Sequence, residues 1–127
     1  MSNLIFFVKY MLNYLCEVII VNIETEFRHG IFFIRLKGKI TDENLKINNA
    51  KITNMIIDNG FKNVVFNVEK LDYKNINKIE RLIYNPNINN MNNLMICGFK
   101  ETFESNKMFN YIDVVKDEIS ALKTINI

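Results

Sequence analysis

Residues 63–83 read NVVFNVEKLDYKNINKIERLI, and two hydrophobic periods meet inside them. Val64-Val65-Phe66 is a continuous apolar run within Asn63 to Val68, the pattern of a central strand buried on both faces. Beyond Tyr73 the period changes. Ile76, Ile79 and Ile83 fall at i, i+3 and i+7, one stripe of a helix. That helix must end near Asn85-Pro86, because proline lacks a backbone donor and biases the residue before it away from helical angles.

Upstream, Val18 to Glu24 and Ile31 to Leu36 are rich in β-branched and aromatic residues and flank Arg28-His29-Gly30, which reads as a hairpin with His29 in solvent. Gly38 closes the second strand. Thr41 and Asp42 are good N-cap types, and Leu45, Ile52 and Ile56 keep helical spacing until Asn59-Gly60, giving a helix of about four to five turns. Downstream, Asn87 to Asn93 is a polar loop and Leu94 to Gly98 a second buried strand. A short helical stretch carries Phe103, Met108 and Phe109, Ile112 to Val115 forms a minor strand, and Asp117 caps a last helix with Ile119 and Leu122 on one face. The order β-β-α-β-α-β-α-β-α predicts an α/β fold: a mixed sheet of about four to five strands, opened by a hairpin and covered by about four helices.

Composition narrows the chemistry. A chain of 127 residues, 49% hydrophobic, is one domain with room for a core. Cys16 and Cys97 have no Cys-x-x-Cys spacing, so neither a disulfide framework nor an oxidising compartment is expected. With His29 the only histidine, a His-rich metal site is excluded, and no metal or cofactor is expected. A net charge of +2 with no long run of one sign argues against nucleic acid. Carboxylate pairs such as Glu69 with Asp72, or Glu101 with Glu104, have no nucleophile, metal cluster or phosphate loop beside them, so they read as exposed charges rather than an active site. Asn and Ile together make up roughly a third of the chain, a bias of an AT-rich genome more than of a function.

Residues 4–21, LIFFVKYMLNYLCEVIIV, are long enough to raise the question of a membrane helix. About ten strong apolar residues contribute roughly −5 kcal/mol to insertion, and two central charges at about +3 each cancel it. Residues 1–17 are therefore expected to be an apolar extension packing on a domain that spans 18–127, with Met11 an alternative initiator. Membrane contact through residues 4–21 is the lesser alternative, because Lys9 alone makes no basic face.

From about Val21 onward the chain resembles the STAS domain, the fold of bacterial anti-sigma factor antagonists. Residues 34–41, IRLKGKIT, look like the family's Leu-x-Gly-x-(Leu/Ile)-Asp strand end. Residues 63–73 are similar to its central strand and following turn, and 93–98 to the next strand. Residues 109–122, from Phe109-Asn110-Tyr111 to Asp117-Glu118-Ile119-Ser120-Ala121-Leu122, are similar to its C-terminal strand and helix.

The resemblance implies a non-catalytic protein-interaction module of the cytoplasm, regulating transcription by binding an anti-sigma factor or a kinase-like ATPase. The alternative it implies is a membrane-linked STAS domain of the kind attached to anion transporters. In the family the turn before the second helix reads Asp-Ser-Ser-Gly, its second serine being phosphorylated. Aligned without a gap, that motif falls on Asn75, Ile76, Asn77 and Lys78. Asn77 takes the phosphoserine position and has no hydroxyl, and no serine or threonine lies between Thr53 and Thr102. The ordinary switch is thus expected to be absent, and Tyr73, Lys74, Asn75, Ile76, Asn77 and Lys78 form the expected partner-binding turn.

Overall fold

His29 and Gly30 both take positive φ, 54° and 77°, the sign required of both residues in a two-residue I′ turn, whose twist matches that of the strands it joins. Through it β1 (Asn22–Arg28) and β2 (Ile31–Lys39) pair antiparallel, from Arg28↔Ile31 out to Asn22↔Lys37. β1 thus runs further, to Arg28, than the end at Glu24 expected from sequence. The computed structural model describes residues 21–90, 92–100, 107–108 and 110–125. The expected extension 1–17, residues 18–20, Phe103 and Phe109 lie outside these.

α1 (Asp42–Asn59) follows, then β3 (Asn63–Asp72), α2 (Ile76–Ile83), α3 (Pro86–Asn89), β4 (Asn93–Cys97), β5 (Lys107–Met108), β6 (Ile112–Val114) and α4 (Glu118–Ile125). The sheet order is β1-β2-β3-β4-β6-β5, parallel from β2 to β6 and antiparallel at both edges. It is a mixed α/β sheet opened by a hairpin. Met108, expected in a helix, instead pairs with Ile112 across a loop in which Asn110 takes φ 65°, a left-handed conformation that Asn tolerates. The polar loop expected at 87–93 is partly helical. Pro86 occupies the first turn of α3, where its missing N–H is no loss, and the Asn85 side chain accepts from the Asn87 N–H at 2.9 Å.

α1 begins with a reciprocal cap. The Thr41 hydroxyl accepts from the Asn44 N–H at 3.2 Å, and the Asn44 side chain accepts from the Thr41 N–H at 3.0 Å. It ends on Gly60 in the left-handed conformation. α1, α2 and α3 cover one face of the sheet. There Phe32, Ile34 and Leu36 alternate along β2, meet Val64, Phe66 and Val68 of β3, and bury Leu45, Ile52, Ile56, Ile79, Leu82 and Ile88 from the helices. The other face holds a smaller cluster, Ile31, Phe33, Val65, Met95 and Cys97, under Ala121 of α4. Ile119 and Leu122 do not share a buried face: Ile119 is 63% exposed, and the inward stripe is Ala121, Leu122 and Ile125. Among the described residues no helix is long and apolar enough to cross a membrane.

Thr53 of α1 is buried with a hydroxyl oxygen that has no partner among the described residues. Leaving such a group unsatisfied costs about 1–3 kcal/mol. Thr53→Val, which keeps the shape and removes the oxygen, is expected to stabilise the fold by about 1 kcal/mol. Urea denaturation measures it, and a loss of stability would show that the hydroxyl does find a partner.

Candidate functional site at the carboxyl edge of the sheet

Because β2, β3, β4 and β6 run parallel, their carboxyl ends share one edge, the place where open α/β sheets present their sites. β3 reaches further into this edge than the 63–68 expected from sequence, and a bulge carries it there. Its pairing with β2 moves from Arg35↔Asn67 to Lys37↔Lys70, so β3 spends three residues where β2 spends two. The extra residue shifts the alternation. Val64, Phe66 and Val68 face the main core, and after the bulge Leu71 does so instead of residue 70, with Tyr73 packed against the same core.

Two residues hold the bulge in shape. The Asn67 side chain accepts from the Glu69 N–H at 3.0 Å, a bond within β3 itself. Gly98, just past β4, lies so close that a Cβ there would sit 2.6 Å from the Glu69 nitrogen and 2.8 Å from Asn67 Oδ1. A cavity of about 390 Å³ opens between residues 68–72 of β3 with Tyr73 and, opposite, Gly98 and Lys100.

The six turn residues divide by direction. Tyr73 is half-buried and meets Phe99 edge-on, ring centroids 6.2 Å apart, while Ile76 packs against the core. Lys78 points sideways: its Nζ lies 3.5 Å from Asp42 Oδ1 of α1, and Arg81 approaches the same oxygen at 3.6 Å. Lys74, Asn75 and Asn77 are exposed. Asn75 is the N-cap of α2, its side-chain oxygen accepting from the Lys78 N–H at 3.2 Å. Asn77 sits inside the first turn of α2, where helix N–H groups and the dipole favour negative charge.

A polar cluster that sequence reasoning missed lies on the opposite sheet face. The Arg35 guanidinium grips Glu118 of α4 with two bonds, Nε to Oε2 and Nη2 to Oε1, both 2.8 Å. Nη2 also donates to Glu26 of β1 at 2.8 Å. Asn67 Nδ2 donates to Glu118 Oε2 at 2.8 Å, so one amide serves both the bulge and α4. The Arg35 bond holds the Glu118 carboxyl below its ordinary value, with Asn67 adding to the effect against partial burial. Under α4 the Cys97 thiol is pushed up to about 12, chiefly by burial and then by the charges of Glu118, Asp117 and Glu69. The signal was present in the strand pattern: Ile31-Phe33-Arg35 and Val65-Asn67 each end an apolar face on a polar residue.

A mixed sheet β1-β2-β3-β4-β6-β5 with its first helix pair on one face and a terminal helix on the other has a solved counterpart. The unphosphorylated form of the anti-sigma factor antagonist SpoIIAA superposes with a TM-score of 0.51 over 83% of this chain and 98% of that one. The fold is the STAS fold. Sequence identity between the two is 15%, and the likeness is one of fold. No family model and no curated protein matches the STAS-fold chain in sequence.

Proposed function

We propose that this STAS-fold protein is a non-catalytic interaction module of the cytoplasm that regulates transcription by binding an anti-sigma factor or a similar kinase-like ATPase. The contact runs through the turn Tyr73 to Lys78, and Asn77 stands in the place of the family's phosphoserine. The observation that carries the reading is the start of α2: Asn75 closes the cap with a 3.2 Å bond, and Asn77 lies exposed in the first turn. The cap keeps the turn's shape without a serine. The ion pair of Lys78 with Asp42 ties it to α1. A turn fixed in this way, with no serine or threonine to modify, suits constitutive rather than switched binding.

Pull-down of kinase-like ATPases from native lysate tests this. The intact protein is expected to retain such a partner, and Asn75→Arg with Asn77→Arg to lose it. Equal retention by both would reject the surface, and retention of no ATPase by the intact protein would reject the partner class.

A single charge gives the sharper prediction. Asn77→Asp places an anion at the α2 N-terminus, where it stabilises the helix by about 0.3–1 kcal/mol. The same charge faces the partner, as a phosphate would. The expected result is a Kd at least about tenfold weaker with an unchanged or slightly raised melting temperature. Binding and melting temperature falling together would mark damage to the turn instead.

A further inference from the structure

The two helical layers are held by different physics. On the α1–α2 face the helices bury long apolar side chains, whereas α4 contributes only Ala121 to full burial, with Leu122 and Ile125 half-buried. What pins α4 is polar: the two-bond grip of Arg35 on Glu118 and the Asn67 bond to the same carboxylate. We infer that α4 is a detachable cover, latched by Arg35 and Glu118, whose release bares the strip Phe33, Val65, Met95 and Cys97 of the sheet.

Three features make release inexpensive relative to unfolding. Arg35 keeps its 2.8 Å bond to Glu26 when α4 leaves, so its charge is not orphaned on the sheet. α4 carries its own cap, the Asp117 side chain accepting from the Ser120 N–H at 2.8 Å, so its first turn does not depend on docking. The last backbone tie before the helix is the Val115 N–H to the Ile96 carbonyl at 2.9 Å, and Lys116 and Asp117 beyond it are exposed, which places the hinge there. Main-core contacts are untouched by this motion. The inference does not rest on the partner reading, because the bonds of Arg35 and Asn67 to Glu118 hold whatever the turn binds.

Cys97 reports the motion. In a Cys16→Ser protein it is the only thiol, and it is fully buried under α4. Its reaction with a thiol-specific disulfide reagent is followed against urea concentration, alongside amide exchange in β3. Release of α4 exposes little surface, so labelling is expected to depend on urea far more weakly than global unfolding does. Glu118→Gln, which keeps the shape and removes the charge, is expected to speed labelling about tenfold with β3 amides still protected. Raising NaCl to about 1 M is expected to speed labelling of the unaltered latch as well. Labelling that carries the full urea dependence of unfolding and ignores salt would overturn the inference. That comparison needs no latch variant, so a misfolded Glu118→Gln protein would not obscure it.

Discussion

Gly98→Ala is expected to cost about 3 kcal/mol and lower the melting temperature by roughly 10 °C. Two penalties add. Gly98 has φ +92°, a backbone conformation that a Cβ makes unfavourable by about 1 kcal/mol or more. The new methyl would also lie 2.6 Å from the Glu69 nitrogen and 2.8 Å from Asn67 Oδ1. Neither can yield cheaply: the first is backbone, and the second is the amide oxygen that serves the Glu69 N–H. Overpacking of this kind costs typically 1–3 kcal/mol, about the remainder of the total. Gly60→Ala supplies the control, since Gly60 has φ +65° but open space around it, and its cost should be about 1 kcal/mol. Paired thermal melts decide the matter. Equal losses in the two variants would mean that Gly98 serves its dihedral angle and not the bulge.

Arg35→Met is expected to cost about 2 kcal/mol at neutral pH. Removing the guanidinium takes two charge-assisted bonds from Glu118 and one from Glu26, and leaves a carboxylate with 17% of its side chain exposed whose remaining bond is the one from Asn67. Hydrogen bonds to charged groups contribute about 1.5–3 kcal/mol each, and partial exposure trims the sum. The pH dependence follows from the direction of the Glu118 shift. Its folded pKa lies below the ordinary 4.5, so its contribution is present above pH about 4.5 and is lost as pH falls through the folded value. In Arg35→Met the carboxyl no longer gains from ionising. The stability gap between the two proteins should therefore be full at pH about 7 and narrow steadily below pH about 4.5. Urea titrations at several pH values measure it, and a gap that holds constant into acid would show that Arg35 acts by its guanidinium lying over the Phe33 ring, 5.9 Å from the centroid, rather than through Glu118.

The elements that sequence could place are those governed by local rules. The run Val64-Val65-Phe66 and the stripe Ile76, Ile79, Ile83 located β3 and α2, because burial on two faces and helical spacing leave a mark within a few residues. Thr41 was legible as a cap for the same reason. Pro86 marks a stop in the sequence pattern, although proline is equally suited to starting a helix, and α3 is the outcome. The bulge left no trace, since residues 66–71, FNVEKL, read as ordinary alternation running out into polar residues. Arg35 and Glu118 lie 83 positions apart, so their pairing is a property of the sheet order rather than of spacing. That same pairing turns Glu118 inward and leaves Ile119 in solvent, so of the two residues expected on the buried face of α4 only Leu122 is there. For the expected turn, sequence names six residues but cannot sort them, because which of Tyr73, Ile76 and Lys78 point inward or sideways depends on the shifted alternation beyond the bulge.

The amide of Asn67 has a further consequence. Its planar group is bonded at both ends, oxygen to the bulge and nitrogen to α4, and the two atoms cannot reorient separately. The shape of the carboxyl edge and the docking of α4 are then one thermodynamic system. If a protein grips that edge more tightly with α4 docked than released, it shifts the helix's equilibrium by some factor, and loss of the helix weakens the grip by the same factor.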